Sequence, residues 1–264
     1  MIQQKHTAYK TKNGLAIACP GTPLWVRLAQ GKTHADARLF FGDFLRQNKE
    51  PITGIVAERE IALACAKMIF QHFAQKEIVA YFLPPNALLP VATFSGEIRP
   101  ATEQEMPLVL GWIRAFYKET LHIHAEITGF LGSQAEPSRH NAYHHGRVEA
   151  KTLAPQSEPT WHNLSPIKAP PKLFVWYDTQ PVAMGMLMGE GETCRLNLIY
   201  VPPPYRGKGY GRAIVCALAE KSQENGQIPM LYTACDNAVA NGLYAKLGFR
   251  EAGRLLEVTN GVML

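Results

Sequence analysis

Apolar positions along the chain fall into short alternating runs and longer helical stripes, and their order predicts two successive α/β units. Leu24 to Leu28 reads as a strand, His34 to Arg46 as a helix, Ile52 to Val56 as a strand, Glu58 to Phe73 as a helix, and Glu77 to Leu83 as a strand. Pro84-Pro85-Asn86 and the residues up to Gly96 read as a linker. A new unit then opens with Ile98-Arg99-Pro100-Ala101-Thr102 and a helix from Glu103 to Glu119. The boundary between the units falls at residues 95 and 96.

In the second unit, 131–171 is rich in Pro, Ser, Gln and His and predicts a long loop or short helices covering a site. Leu173 to Tyr177 and Val182 to Met188 form a hairpin across Asp178-Thr179-Gln180-Pro181. Thr193 to Val201 alternates Leu196, Leu198 and Tyr200 on one face with Arg195, Asn197, Ile199 and Val201 on the other. A strand from Ile228 to Thr233, a helix after Asn237 and a strand from Phe249 to Val258 complete the unit. In the Asn237 helix, Val239, Leu243 and Leu247 repeat as the buried face, with Tyr244 just off it. No internal repeat is evident.

Composition narrows the class. A chain of 264 residues with 47% hydrophobic residues has enough apolar surface for a core, which excludes disordered and fibrous classes. The net charge of +5 is scattered rather than gathered into a stripe, so neither nucleic acid nor a membrane surface is an expected partner. No run approaches the roughly 18 apolar residues of a membrane span, and the N-terminus lacks the apolar core of a signal peptide. Five cysteines without C-x-x-C spacing imply neither a disulfide framework nor a zinc site, and a cytoplasmic location is expected.

The chemistry concentrates in Val201-Pro202-Pro203-Pro204-Tyr205-Arg206-Gly207-Lys208-Gly209-Tyr210-Gly211-Arg212. Alternate glycines between a strand and a helix let backbone N–H groups approach an anion, and the helix start adds its dipole. Arg206, Lys208 and Arg212 supply positive charge. The string contains no G-x-x-x-x-G-K-[ST], and its third glycine comes one place too early for the dinucleotide fingerprint.

Strand, proline-rich exit, R-G-x-G-x-G and helix together resemble the acyl-CoA-binding motif of the GNAT superfamily of N-acetyltransferases. Asp236 to Phe249, with Asn237 and Leu243-Tyr244-Ala245-Lys246-Leu247-Gly248-Phe249, resembles that superfamily's second signature. The opening Ile98-Arg99 with Glu105 is similar to its first strand and helix. The resemblance implies the GNAT fold for 96–264, a mixed and largely antiparallel sheet flanked by helices in the α/β (α+β) class. A smaller, non-catalytic α/β lobe at 1–95 precedes it, as in two-lobed bacterial members. The resemblance implies acetyl-CoA as acyl-donor co-substrate, an amine as acceptor, and no metal. It implies that the backbone of Ile199, Tyr200 and Val201 holds the pantetheine arm and polarises the thioester. Arg206, Gly207, Lys208, Gly209, Tyr210, Gly211 and Arg212 would hold the pyrophosphate, Asn237 the pantetheine, and Tyr244 would protonate the departing thiolate as general acid. The alternative is a CoA-binding regulatory or scaffold protein without transfer activity.

A base for the amine is not marked by a motif; Glu190, Glu192, Glu119 and Glu126, with His122 and His124, are the candidates. His140 and His144 share a helical spacing but lack the rest of a zinc motif. Cys235 reads as a small buried side chain.

Overall fold

The computed structural model describes residues 7–18, 23–49, 51–87, 94–121, 172–189 and 191–260. The first half runs β1 (Thr7–Thr11), β2 (Gly14–Ala18), β3 (Leu24–Leu28), α1 (His34–Gln47), β4 (Gly54–Ala57), α2 (Arg59–Ala66) and β5 (Phe73–Phe82). The second runs β6 (Glu97–Pro100), α3 (Met106–Leu121), β7 (Lys172–Asp178), β8 (Gln180–Met188), β9 (Thr193–Tyr200), α4 (Tyr210–Glu224), β10 (Ile228–Ala234), α5 (Ala238–Lys246) and β11 (Arg250–Asn260). All these strands join one mixed, largely antiparallel sheet in the order β1-β2-β3-β4-β11-β5-β10-β9-β8-β7-β6.

That order contains a repeat the sequence conceals. An antiparallel β1-β2-β3 meander, a helix, a parallel β4, a second helix and β5 recur as β7-β8-β9, α4, β10, α5 and β11. Each repeat gives its last strand to the other: β5 pairs with β10, and β11 pairs with β4. The two exchanged strands lie antiparallel along their length, from Arg250 opposite Phe82 to Asn260 opposite Phe73. The expectation of no repeat is therefore corrected. Backbone pairing repeats, while the side chains that satisfy it differ freely.

Several elements shift from their expected bounds. The helix beginning near Glu58 stops at Ala66, where the chain turns through Lys67 to Ile69, with Ile69 N–H donating to Ala66 O at 3.0 Å. Ile69 and Phe70 still pack on the same core, so their apolar pattern extends the helical stripe without extending the helix. Phe73 opens β5 instead. The hairpin of β1 and β2 was not expected, although Asn13-Gly14 is a turn signal and the register closes Thr11 against Gly14.

Burial sorts the sheet into two faces. On one side of β5, Tyr81 stands opposite Leu231 and Glu77 opposite Leu256. Leu231 belongs to the core beneath α4 and α5, and Leu256 to the core beneath α1 and α2. These four helices therefore cover one face. Their buried Leu, Ile, Val and Phe side chains each contribute about 1.5–3 kcal/mol by leaving water. The other face carries α3 over β7, β8 and β9, around Val109, Ile113, Val175, Met184 and Leu198. Further along that face, Val56, Ile78, Ala80, Phe82, Met230 and Leu255 form a separate buried group. Trp25 of β3 meets Tyr232 of β10 there, ring centroids 5.2 Å apart. Four strand spacings separate them in the sheet, about 19 Å if it were flat. The sheet is thus strongly curled, and this face is concave.

Candidate active site

β9 and β10 start as a parallel pair and then part. Thr193, Cys194 and Arg195 align with Ile228, Pro229 and Met230, and no further pair follows. β10 continues on its other side with β5 as far as Ala234. The cause of the parting lies in β9. Met184 and Met186 of β8 face Tyr200 and Asn197, so three steps of β9 oppose two of β8, and Leu198 sits at φ 48°. A bulge of this kind bends its strand and leaves backbone groups without ladder partners. It also re-aims the side chains, correcting the simple alternation expected for this strand. Cys194 and Leu196 enter the core under α4, whereas Leu198 and Tyr200 enter the core under α3. Ile199 and Val201 pack toward α4. Their backbone therefore lines the opening between β9 and β10.

The glycine loop follows at the end of β9. Pro203–Tyr205 forms a single 3-10 turn, with Tyr205 N–H donating to Pro202 O at 2.9 Å and Arg206 N–H to Pro203 O at 3.2 Å. Gly207 and Gly209 have φ of 76° and 87°, a region L side chains rarely adopt. Gly209 is the N-cap of α4 and supplies no side-chain bond to it. The first-turn N–H groups of Tyr210, Gly211 and Arg212 thus have no partner within the helix. Arg212 Nε, in that same turn, is buried and has no hydrogen-bond partner among the described residues. An anionic group fits these donors.

The corresponding helix of the first repeat differs in this respect. α1 starts with a capping box in which Asp36 Oδ2 accepts from Thr33 N–H at 2.9 Å and Thr33 Oγ1 at 3.1 Å. The Thr33 backbone bond holds the Asp36 carboxyl below its ordinary range. A carboxylate of the chain itself already sits where an anion would bind.

Around the α4 loop the predicted cations do different things. Arg206 folds back, its Nε donating to Val201 O at 2.9 Å and its Nη2 to Glu119 Oε2 at 2.6 Å. Lys208 is exposed, its Nζ 6.0 Å from the Tyr205 ring. Tyr210 Oη donates to Asp178 Oδ2 in the β7–β8 turn, and Ser95 Oγ donates to Asp178 Oδ1 at 2.7 Å. The linker also supplies Phe94, whose ring lies 2.6 Å from where a Cβ on Gly209 would stand. Gly211 has only an ordinary 3.6 Å contact with Val201 at its own Cβ position. The linker residues Phe94 and Ser95 carried no sequence signal for this position. Only the pairing of β6 with β7 brings them to the loop.

Asn237 caps α5, its Oδ1 accepting from Ala240 N–H at 3.1 Å. Asn241 braces the turn before it by donating to Ala234 O, Cys235 O and Asn237 O, while its Oδ1 accepts from Tyr81 Oη at 3.0 Å. The expected buried stripe of α5 is corrected. Val239 is 85% exposed, whereas Tyr244 is buried, with Ala240, Leu243 and Leu247 beside it. Spacings of three and four residues fit either stripe, and the helix's docking on Leu83 and Phe249 selects this one. Tyr244 stands between the rings of Tyr81 and Phe249, and burial pushes its phenol up to about 12. It is a protonated phenol at neutral pH.

Of the carboxylates considered as bases, Glu119 accepts from Tyr200 Oη at 2.8 Å as well as from Arg206. Desolvation and then Glu119 push Tyr200 up to about 12. Glu192 lies in the β8–β9 turn, at the far end of β9 from the loop, about 23 Å of extended strand away. Glu190, Glu126, His122, His124, His140 and His144 lie outside the described residues. Among the described residues no group of three His, Cys, Asp or Glu could hold a metal ion. Burial raises the Cys235 thiol away from the thiolate form that a nucleophile needs.

The strand edge opened beside a bulge, the glycine loop opening a helix, and the second helix bearing a buried tyrosine lie together at the ends of β9 and β10. Residues 140–249 match the acetyltransferase (GNAT) family model. General acyl transfer is the activity class of that family. The chain is 35% identical over 78 residues to the uncharacterized protein YyaT of Bacillus subtilis. That match covers 30% of this chain and about half, 51%, of the relative. In fold it is similar to a functionally unknown conserved protein from Staphylococcus epidermidis, with TM-score 0.59 and 12% identity over 99% of this chain and 96% of that one. It is also similar to a GCN5-related N-acetyltransferase from Kribbella flavida, with TM-score 0.58 and 9% identity over 97% and 89% of the two chains. No helix among the described residues is long and apolar enough to cross a membrane.

Proposed function

We propose that the protein is a cytoplasmic acetyl-CoA-dependent N-acetyltransferase that passes the acetyl group directly to a primary amine in a ternary complex. The observation that carries this reading is the parting of β9 from β10 beside an α4 N-terminus left uncapped by any side chain. The N–H groups of Tyr210, Gly211 and Arg212, with Gly207, Lys208 and Gly209 leading into them, bind the pyrophosphate. Arg212 adds the charge of its buried guanidinium edge. Arg206 supports the loop from behind through Val201 O and Glu119.

The backbone of Ile199, Tyr200 and Val201 offers donors and acceptors to the pantetheine amides as an added strand would, and one N–H polarises the thioester carbonyl. Asn237 orients the start of α5 against that arm. Acetyl-CoA supplies the activated acyl group. The amine adds to the carbonyl carbon, the C–S bond breaks, and Tyr244, kept protonated by burial, gives its proton to the departing thiolate; the proton the new amide nitrogen sheds passes to solvent, which also reprotonates Tyr244.

Within this reading, residues 96–264 form the acetyltransferase domain, and residues 1–95 form a lobe without its own transfer site. Asp36, which occupies the equivalent helix start in that lobe, supports this division.

Thermal unfolding with acetyl-CoA, against NADH and ATP, tests the cofactor, since ligand at 100 times its dissociation constant adds about 2.7 kcal/mol. Release of free CoA thiol with a panel of amines tests the transfer. Stabilisation by acetyl-CoA with no thiol release for any amine would instead favour the CoA-binding regulatory reading. No stabilisation at all would overturn both.

A further inference from the structure

The last turn of α3 lies across the opening between β9 and β10 and is tied down on both sides of it. On the β9 side, Glu119 Oε1 accepts from Tyr200 Oη at 2.8 Å, and the Tyr200 ring stands edge-on to Phe116 at 6.5 Å. On the far side, Lys76 of β5 donates from Nζ to Thr120 O at 2.9 Å. Tyr200 enters the core under α3, so Glu119 sits on the sheet face opposite α4 and α5. The glycine loop and this carboxylate therefore flank the opening.

One guanidinium joins the two. Arg206 donates from Nε to Val201 O at 2.9 Å and from Nη2 to Glu119 Oε2 at 2.6 Å. Because a single planar fork touches both oxygens, the carboxylate lies within about 8 Å of the Val201 carbonyl. The Arg206 and Glu119 side chains are 47% and 42% exposed, and an ion pair so open to water contributes little. Arg206 directly precedes Gly207, and bonds from a guanidinium to a phosphate are about twice as strong as neutral hydrogen bonds. A pyrophosphate at the first turn of α4 can thus draw the guanidinium away from Glu119, which also frees Val201 O for the pantetheine arm. Glu119 then keeps its bond from Tyr200, which burial holds protonated, and has no cation bonded to it among the described residues. Lys76, the other cation at this turn, is held by Thr120 O and stands across the strands from Glu257.

Resting on the acetyl-transfer reading, we infer that Glu119 is the seat for a second cationic group on the acceptor, so that the acceptor is a diamine, and that Arg206 covers this seat until the cofactor's pyrophosphate takes its guanidinium. One acceptor nitrogen rests on Glu119 as an ammonium while the other reaches the thioester beside Ile199 to Val201. The nitrogens of 1,3-diaminopropane to 1,5-diaminopentane lie about 5 to 7.5 Å apart when extended, within that reach.

Titration calorimetry compares 1,3-diaminopropane, 1,4-diaminobutane and 1,5-diaminopentane with propylamine, butylamine and pentylamine, each with and without saturating CoA, which carries no acetyl group to transfer. With CoA bound, at least one diamine binds about 10-fold or more tightly than its monoamine, and without CoA that advantage shrinks by about fivefold or more. Glu119→Gln abolishes the advantage and binds CoA no more weakly than the wild type. Arg206→Gln shows the diamine advantage even without CoA, a gain that damaged packing does not produce. Equal affinity for diamine and monoamine in every pair with CoA bound overturns the inference. So does an advantage that survives Glu119→Gln, or one that is the same in the wild type with and without CoA. If Glu119→Gln does not fold, the wild-type comparison and Arg206→Gln decide the matter. CoA binding without any diamine advantage would remove the seat and leave the transferase reading standing. A diamine advantage in Arg206→Gln, with no CoA binding by the wild type, would do the reverse.

Discussion

Tyr244 and Gly209 show how single side chains bear on the site. The Tyr244 ring is packed between Tyr81 and Phe249, so Tyr244→Phe leaves the packing intact and removes only the proton. We expect turnover to fall by about 10²-fold or more with acetyl-CoA affinity unchanged, read by thiol release and calorimetry. Its raised pKa also ties it to stability at high pH. A phenol whose folded value lies near 12, above the ordinary 10, stabilises the fold fully below pH 10 and loses that contribution as pH rises toward 12. The unfolding free energy should therefore drop across that window, by up to about 1.4 kcal/mol per pH unit per tyrosine, and less so in Tyr244→Phe, read by urea unfolding at a series of pH values.

At Gly209 a Cβ would strike the Phe94 ring at 2.6 Å and force an L residue to φ 87°. Gly209→Val should therefore weaken acetyl-CoA binding by disturbing the loop from beneath. Gly211→Ala, with an ordinary 3.6 Å neighbour, should fold like the wild type. Equal acetyl-CoA affinity in Gly209→Val and wild type would remove the loop from the cofactor site.

Among the elements, the two helix starts α1 and α4 differ by one carboxylate, Asp36, and in the proposed reading that difference leaves α4 as the start open to a phosphate. The approach to α3 is fastened in a third way. Thr102 and Glu105 form a capping box ahead of it, and Arg99 reaches Glu105 with two bonds of 2.8 and 2.7 Å. The Arg99 guanidinium, then Thr102, holds the Glu105 carboxyl down to about 2. A depressed carboxyl stabilises above its unfolded value of 4.5 and loses the contribution as pH falls toward 2. Glu105→Gln should thus cost about 1–2 kcal/mol at pH 7. The gap from wild type should close on acidification, measured by urea unfolding at a series of pH values. A gap of constant size would mean that Glu105 acts by shape rather than charge.

For the whole molecule, the exchange of β5 and β11 makes each half depend on the other. Residues 96–264 expressed alone would leave β10 without β5, and β11 without either of its neighbours. Such a fragment should be insoluble or unfolded, and the full chain should melt in one cooperative transition in calorimetry. Recovery of a soluble 96–264 fragment that binds acetyl-CoA would show that the exchanged strand is dispensable. The curl that brings Trp25 to Tyr232 also belongs to this scale, because it needs the twist of many strands added together.

Local order was readable from the chain wherever short-range chemistry is decisive. Alternation marked β3 and β9, the Asp178 turn marked the β7–β8 hairpin, and glycines followed by a helical stripe marked the anion loop, since each depends on neighbours within a few residues. The helix after Asn237 was readable for the same reason. Long-range pairing was not. Nothing local in Phe73 to Phe82 says that it pairs with Arg250 to Asn260, or that Phe94 and Ser95 buttress Gly209 and Asp178. Nor could spacing say which stripe of α5 is buried, or that a bulge at Leu198 turns Tyr200 toward Glu119. Those outcomes depend on which surfaces meet after collapse. Backbone hydrogen bonds in a sheet are indifferent to side-chain identity, so the partner is chosen by the packing of the whole chain.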